Sequence, residues 1–160
     1  TFINGRYAGI DQRFINKYVD VEISVGDFIL SGGELAGLCV VDSISRFIPG
    51  VLGNQLSPEQ ESLQNHLLEC PQFTRPEVSL GQSVPRVFKS GDHKKIERAK
   101  RELSLLATMK KRPDLIEKAK VSAKDIQTCL DYMEALDDEE LLVLGLDRHQ
   151  LRSIGERFQG

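Results

Sequence analysis

The sequence predicts an α/β fold followed by a small all-α domain. Three observations predict it. Short apolar runs alternate with closely spaced glycines up to Gly50. From Asp92 onward the apolar residues recur at helical spacing. The stretch between, residues 50–91, holds four of the six prolines and no long periodic segment.

The elements follow in chain order. Phe2 and Ile3 suit the buried end of a strand that Gly5 terminates. A strand end at the start of a chain whose first residue is Thr1 needs neighbouring strands, so the sequence reads as part of a longer protein. Residues 10–18 suit a short helix and 21–24 a strand. Phe28-Ile29-Leu30, ending in Ser31-Gly32-Gly33, fits a buried strand. From Gly33-Glu34 a helix runs to about Phe47. Its Leu35, Leu38, Val41, Ile44 and Ile48 follow helical spacing, and Pro49-Gly50 stops it. The next strong helix runs from about Asp92 to Met109, with Ser90 or Asp92 as cap. Ile96, Leu103 and Leu106 lie on one side of it, and Lys94, Arg98 and Arg101 on another. Ser122 and Asp125 form a capping-box variant ahead of an apolar face of Ile126, Cys129, Leu130, Met133 and Leu136. Leu141, Leu142 and Leu144, then Leu151, Ile154 and Phe158, suggest two more short helices.

Composition bounds the partners. Of 160 residues, 40% are apolar and 28% charged, which suits a globular chain. No apolar run reaches membrane-spanning length, so no membrane partner is expected. Cys39, Cys70 and Cys129 are widely spaced with no CxxC pair. This points to a reducing, cytoplasmic compartment without a structural disulfide or zinc site. Cys39 and Cys129 fall in apolar helices and read as core, and Cys70 has no neighbouring base that would make it a nucleophile. The net charge of −3 is unevenly spread: residues 84–112 carry ten basic and three acidic side chains. That block is where a polyanion such as a phosphate backbone would settle; a solvated lysine-rich helix face explains it equally well.

Glycines 5, 9, 26, 32 and 33 are too dense for ordinary turns. Lacking a side chain, they let a ligand approach backbone N–H and C=O groups, with Ile29, Leu30 and Leu35 as apolar walls. Neither GxGxxG after a strand nor GxxxxGK[ST] occurs, which argues against a dinucleotide fold and a P-loop NTPase.

Longer motifs are more specific. They are Gly5-Arg6-Tyr7-Ala8-Gly9-Ile10-Asp11, the run Ile23 to Leu35, Ser45-Arg46-Phe47-Ile48-Pro49-Gly50-Val51-Leu52-Gly53, Leu67-Leu68-Glu69-Cys70-Pro71, Thr74-Arg75-Pro76-Glu77-Val78, Val84-Pro85, Ser90-Gly91-Asp92-His93 and Arg112-Pro113-Asp114-Leu115. In this order they resemble the bacterial tRNA (guanine-N1)-methyltransferases over roughly residues 1–118. The resemblance implies a trefoil-knotted SPOUT fold whose first half precedes Thr1, a homodimer, and S-adenosylmethionine as methyl donor to the guanosine just 3′ of the anticodon. It implies three regions: 1–53 as the second half of the cofactor domain, 54–90 as a linker and active-site loop, and 91–160 as a helical tRNA-binding domain.

The resemblance also assigns residues. Gly5, Tyr7, Val25, Gly26, Asp27, Phe28, Ile29 and Leu30 would hold S-adenosylmethionine, with Gly32 and Gly33 closing the knot around it. Asp27 and Glu34 could meet the ligand's amino group or cap the helix. Arg46 would stabilise the substrate anion, although its place at a helix end also suits the dipole. Glu61 stands where the family has an aspartate base. Lys94, Lys95, Arg98 and Arg101 would contact tRNA phosphates, and His93 would cap or contact RNA. No metal-ligand set is present, and a requirement for a divalent cation such as Mg stays open. The sequence departs from the family's pattern at Ala8, which replaces a glutamate, and at Glu61, His66, Gln72 and Phe73. These departures favour a second possibility, a tRNA-binding relative with weak or no catalysis.

Overall fold

The computed structural model describes residues 1–51, 63 and 65–159. The chain divides into two compact units, Thr1–Pro58 and Glu59–Gly160.

The first unit is built around two helices. Helix α1, Gln12–Tyr18, starts where the Asp11 carboxylate accepts the Arg13 N–H at 2.8 Å. Helix α2, Glu34–Ser45, starts after Gly33. Gly5 and Gly33 meet directly: the Gly33 N–H donates to the Gly5 carbonyl at 2.8 Å, beside an antiparallel bridge between Arg6 and Gly32. Gly37 lets α2 lie against Asn4, since a Cβ there would sit 2.6 Å from Asn4 Oδ1. That close approach explains why the one buried position of α2 is a glycine.

Several sequence expectations fail in this unit. Residues 21–24 and 28–30 form no strand, and Phe28 and Ile29 are exposed, Ile29 almost completely. Phe2 and Ile3 likewise lie exposed outside any strand. A strand exists only through pairing. Among the described residues of this unit, the Arg6–Gly32 bridge is the only such pairing. Helix α2 does form, but its apolar positions Leu35, Leu38, Val41 and Ile44 are exposed, as is Ile48 beyond its end. Cys39 is exposed too, against the expectation that it is core.

The second unit has an apolar core. A hairpin, β1 (Val78–Ser79) with β2 (Gln82–Ser83), turns through Leu80 and Gly81, both at positive φ as a two-residue turn requires. After the short α3 (Arg86–Lys89) comes α4 (His93–Lys111), capped by Asp92, whose carboxylate accepts the N–H groups of Lys94 and Lys95. Pro113 opens a single 3-10 turn, Pro113–Leu115. Helices α5 (Ala123–Glu134), α6 (Asp138–Val143) and α7 (Arg148–Gln159) follow. The Ser122–Asp125 capping box is formed in both directions. Leu103, Leu106 and Met109 of α4 join Ile126, Cys129, Leu130 and Met133 of α5 and Leu151 of α7 in one cluster. Met133 and Cys129 are fully buried. Burial pushes the Cys129 thiol up to about 12, so it is an inert core group.

Candidate functional site

In the first unit the glycine segments form two different structures. Gly5, Gly32 and Gly33 come together at the backbone contact above. Beside them the Arg6 guanidinium pairs with Glu34, which holds that carboxyl below the usual carboxylate range. Glu34 is therefore engaged with a cation of its own chain. Tyr7 is almost completely exposed at φ 60°, in the left-handed region. Val25 to Leu30 run as a ribbon with Val25, Phe28 and Ile29 exposed. Within it the Ser24 hydroxyl and the Gly26 N–H are 3.4 Å apart, and a Cβ on Gly26 would collide with the Phe28 ring at 2.4 Å. The result is exposed apolar side chains beside approachable backbone.

Arg46 is the half-buried residue that closes α2 at its C-terminal end. Glu61 lies outside the described residues.

In the second unit Lys94, Lys95, Arg98 and Arg101 are all exposed along α4. Lys95 is 3.5 Å from Asp92, and Arg101 donates to Asp125 at 2.7 Å. Arg101 is thus partly neutralised, while Lys94 and Arg98 extend the basic stripe. His93 is the exposed first residue of the helix. Among the described residues no group of three or more His, Cys, Asp or Glu side chains could hold a metal ion. None of the described helices is long and apolar enough to cross a membrane.

Sequence reasoning missed how the segment around Leu68 is anchored. The Leu68 N–H donates to Thr108 Oγ1 at 2.8 Å, and the Ser104 hydroxyl donates to the Leu68 carbonyl. Thr108 is fully buried. A polar residue on the apolar side of α4 was the available signal.

Two clefts flank this anchored segment. One, of about 360 Å³, is lined by Cys70, Phe73, Arg75, Phe88, Lys89 and Lys100 among others. Its neighbour, of about 440 Å³, shares Cys70, Gln72 and Lys100 and adds Arg101 and Ser104.

A family model described as tRNA (Guanine-1)-methyltransferase TrmD matches residues 1–118. The chain belongs to this family. A tRNA (guanine-N(1)-)-methyltransferase from Hahella chejuensis is 52% identical over 123 residues, covering 77% of this chain and 48% of that protein. One from Legionella pneumophila is 51% identical over 131 residues, covering 82% and 52%. One from Lachnoclostridium phytofermentans is 52% identical over 126 residues, covering 79% and 46%. The chain spans about half the length of the curated relatives it matches. The family match ends at residue 118, whereas the helical core of the second unit continues through α7.

Proposed function

We propose that the protein carrying this chain transfers a methyl group from S-adenosylmethionine to N1 of the tRNA guanosine just 3′ of the anticodon. The family match over residues 1–118 carries this reading, and relatives named tRNA (guanine-N(1)-)-methyltransferase at 51–52% identity support it. When bound, S-adenosylmethionine supplies a methyl carbon made electrophilic by positively charged sulfur. Gly5, Gly32 and Gly33, with Tyr7 and the ribbon Val25, Gly26, Asp27, Phe28, Ile29 and Leu30, would hold it. Guanine N1 must lose its proton to react, and the Glu61 carboxylate would take it. Negative charge then gathers at O6, where the Arg46 guanidinium stabilises it. Lys94, Lys95, Arg98 and Arg101 contact phosphates, positioning the RNA without reading its bases.

In the same reading residues 1–53 complete a knotted cofactor domain, 54–90 link it onward, and 91–160 bind tRNA. The protein works in the cytoplasm as a homodimer. The exposed apolar face of α2 supports such covering by further protein.

Ala8 and Glu61 favour one alternative, a relative that binds tRNA but barely methylates it. Nucleoside mass spectrometry of unmodified tRNA, incubated with the intact protein and S-adenosylmethionine, separates the two. The proposal expects N1-methylguanosine, and a loss of about 10²-fold or more in rate for Glu61→Ala, the size of a general-base contribution. Tight tRNA binding without any N1-methylguanosine would leave the alternative standing and sink the enzyme.

A further inference from the structure

A cleft of the second unit lies between residues 70–77 and α3, with Lys100 of α4 in its lining. Its floor is apolar, with Cys70 buried and burial raising its thiol, so the floor stays neutral. Two half-buried rings, Phe73 and Phe88, stand 5.4 Å apart at 45°. Three cations line it, Arg75, Lys89 and Lys100, against one carboxylate, Glu77. Glu77 pairs with Lys89 at 2.6 Å and Glu97 with Lys100 at 2.8 Å, so both ammonium charges are partly neutralised, as that of Arg101 is. The volume of about 360 Å³ falls within the range of small-ligand clefts, roughly 300–1,000 Å³.

The neighbouring cleft shares Cys70, Gln72 and Lys100, carries the carboxylates Glu69 and Glu97, and reaches Arg101 on α4. The basic stripe and the aromatic cleft are therefore joined by one lined path. Cations along a groove that ends at aromatic rings match a nucleic-acid strand: phosphates follow the charge, and a base stacks on a ring. An acidic peptide would use the cations but leave the rings without a partner.

Resting on the tRNA reading above, we propose that this cleft takes one unstacked nucleotide of the bound tRNA. Its base lies against Phe73 and Phe88, and its phosphate meets Arg75 and Lys100. This is an RNA subsite in addition to the phosphate contacts on α4. It selects RNA with an unpaired nucleotide at a fixed distance from the phosphates held on α4.

The test uses the intact protein and anticodon stem-loop RNAs carrying 2-aminopurine at each loop position in turn. One position should change fluorescence on binding. Phe88→Leu keeps apolar bulk without a ring; it should weaken binding by about tenfold and abolish that signal, with an unchanged circular-dichroism melt. Arg75→Gln, at an exposed residue, should weaken binding and lower the salt slope by about 1. Phe73→Tyr keeps a ring and should bind like the parent. If the parent binds RNA but Phe88→Leu and Arg75→Gln leave affinity and signal unchanged, the subsite is wrong. If the parent does not bind RNA at all, the tRNA reading itself fails and the subsite falls with it.

Discussion

The two units of this chain use similar apolar patterns and reach opposite outcomes. In the second, the face carrying Ile126, Cys129, Leu130 and Met133 closes onto α4 and α7, and Met133 is fully buried. In the first, the face of α2 carrying Leu35, Leu38, Val41 and Ile44 remains exposed. Amphipathic spacing specifies a helix and a face; it does not specify what covers that face. The first unit instead relies on close approach to glycines, with the Gly5 backbone against Gly33 and the Asn4 side chain against Gly37. One unit is organised by side-chain burial and the other by close approach to glycines.

The largest test of this contrast pairs one residue from each helix. Met133→Ala should lower the stability of the second unit by about 2–5 kcal/mol in urea unfolding. Leu38→Ala, at an exposed position, should change the stability of the chain alone by no more than about 0.5 kcal/mol. Equal losses at the two positions would erase the distinction between the units.

A smaller effect is expected at the anchor of the segment around Leu68. Thr108→Val keeps the shape but removes the acceptor for the Leu68 N–H, and should cost about 1–3 kcal/mol. Amide hydrogen exchange at Leu68 should quicken with it.

The smallest effect depends on pH. Glu102 is buried on α4, and burial raises its carboxyl above the ordinary range. Its protonated form therefore contributes stability that is complete below the unfolded-state value and is lost as pH rises through the folded-state value. Glu102→Gln, which stays neutral, should be more stable than the parent at pH 7, with the difference vanishing in acid. The carboxylates that cap helices, Asp92 and Asp125, are shifted downward and cancel in this comparison.

How much was legible in the sequence follows from the same contrast. Helices α4 to α7 could be read because spacing and local caps, Asp92 and the Ser122–Asp125 box, both act within a few residues. The strands expected at 21–24 and 28–30 could not be settled that way, since a strand depends on its neighbour. The β1–β2 hairpin was passed over although Gly81 marks its turn; two-residue strands carry too little alternation to notice. Of the candidate site, glycine density pointed to ligand access at the backbone, whereas the approach of Gly5 to Gly33 is a contact within the chain. The aromatic cleft was not, because Phe73 and Phe88 meet only once α3 packs against the segment from Cys70 onward.

We propose a division of labour, with the cofactor held by backbone in the first unit and RNA by cations in the second. Calorimetric titration of S-adenosylmethionine and of an anticodon stem-loop RNA into two variants of the intact protein tests it most directly. Gly33→Val, where even a Cβ would lie 3.2 Å from the Gly5 nitrogen, should weaken the cofactor and spare RNA. The triple variant Lys94→Ala, Lys95→Ala, Arg98→Ala should do the reverse. If either variant weakens both ligands equally, the division is contradicted.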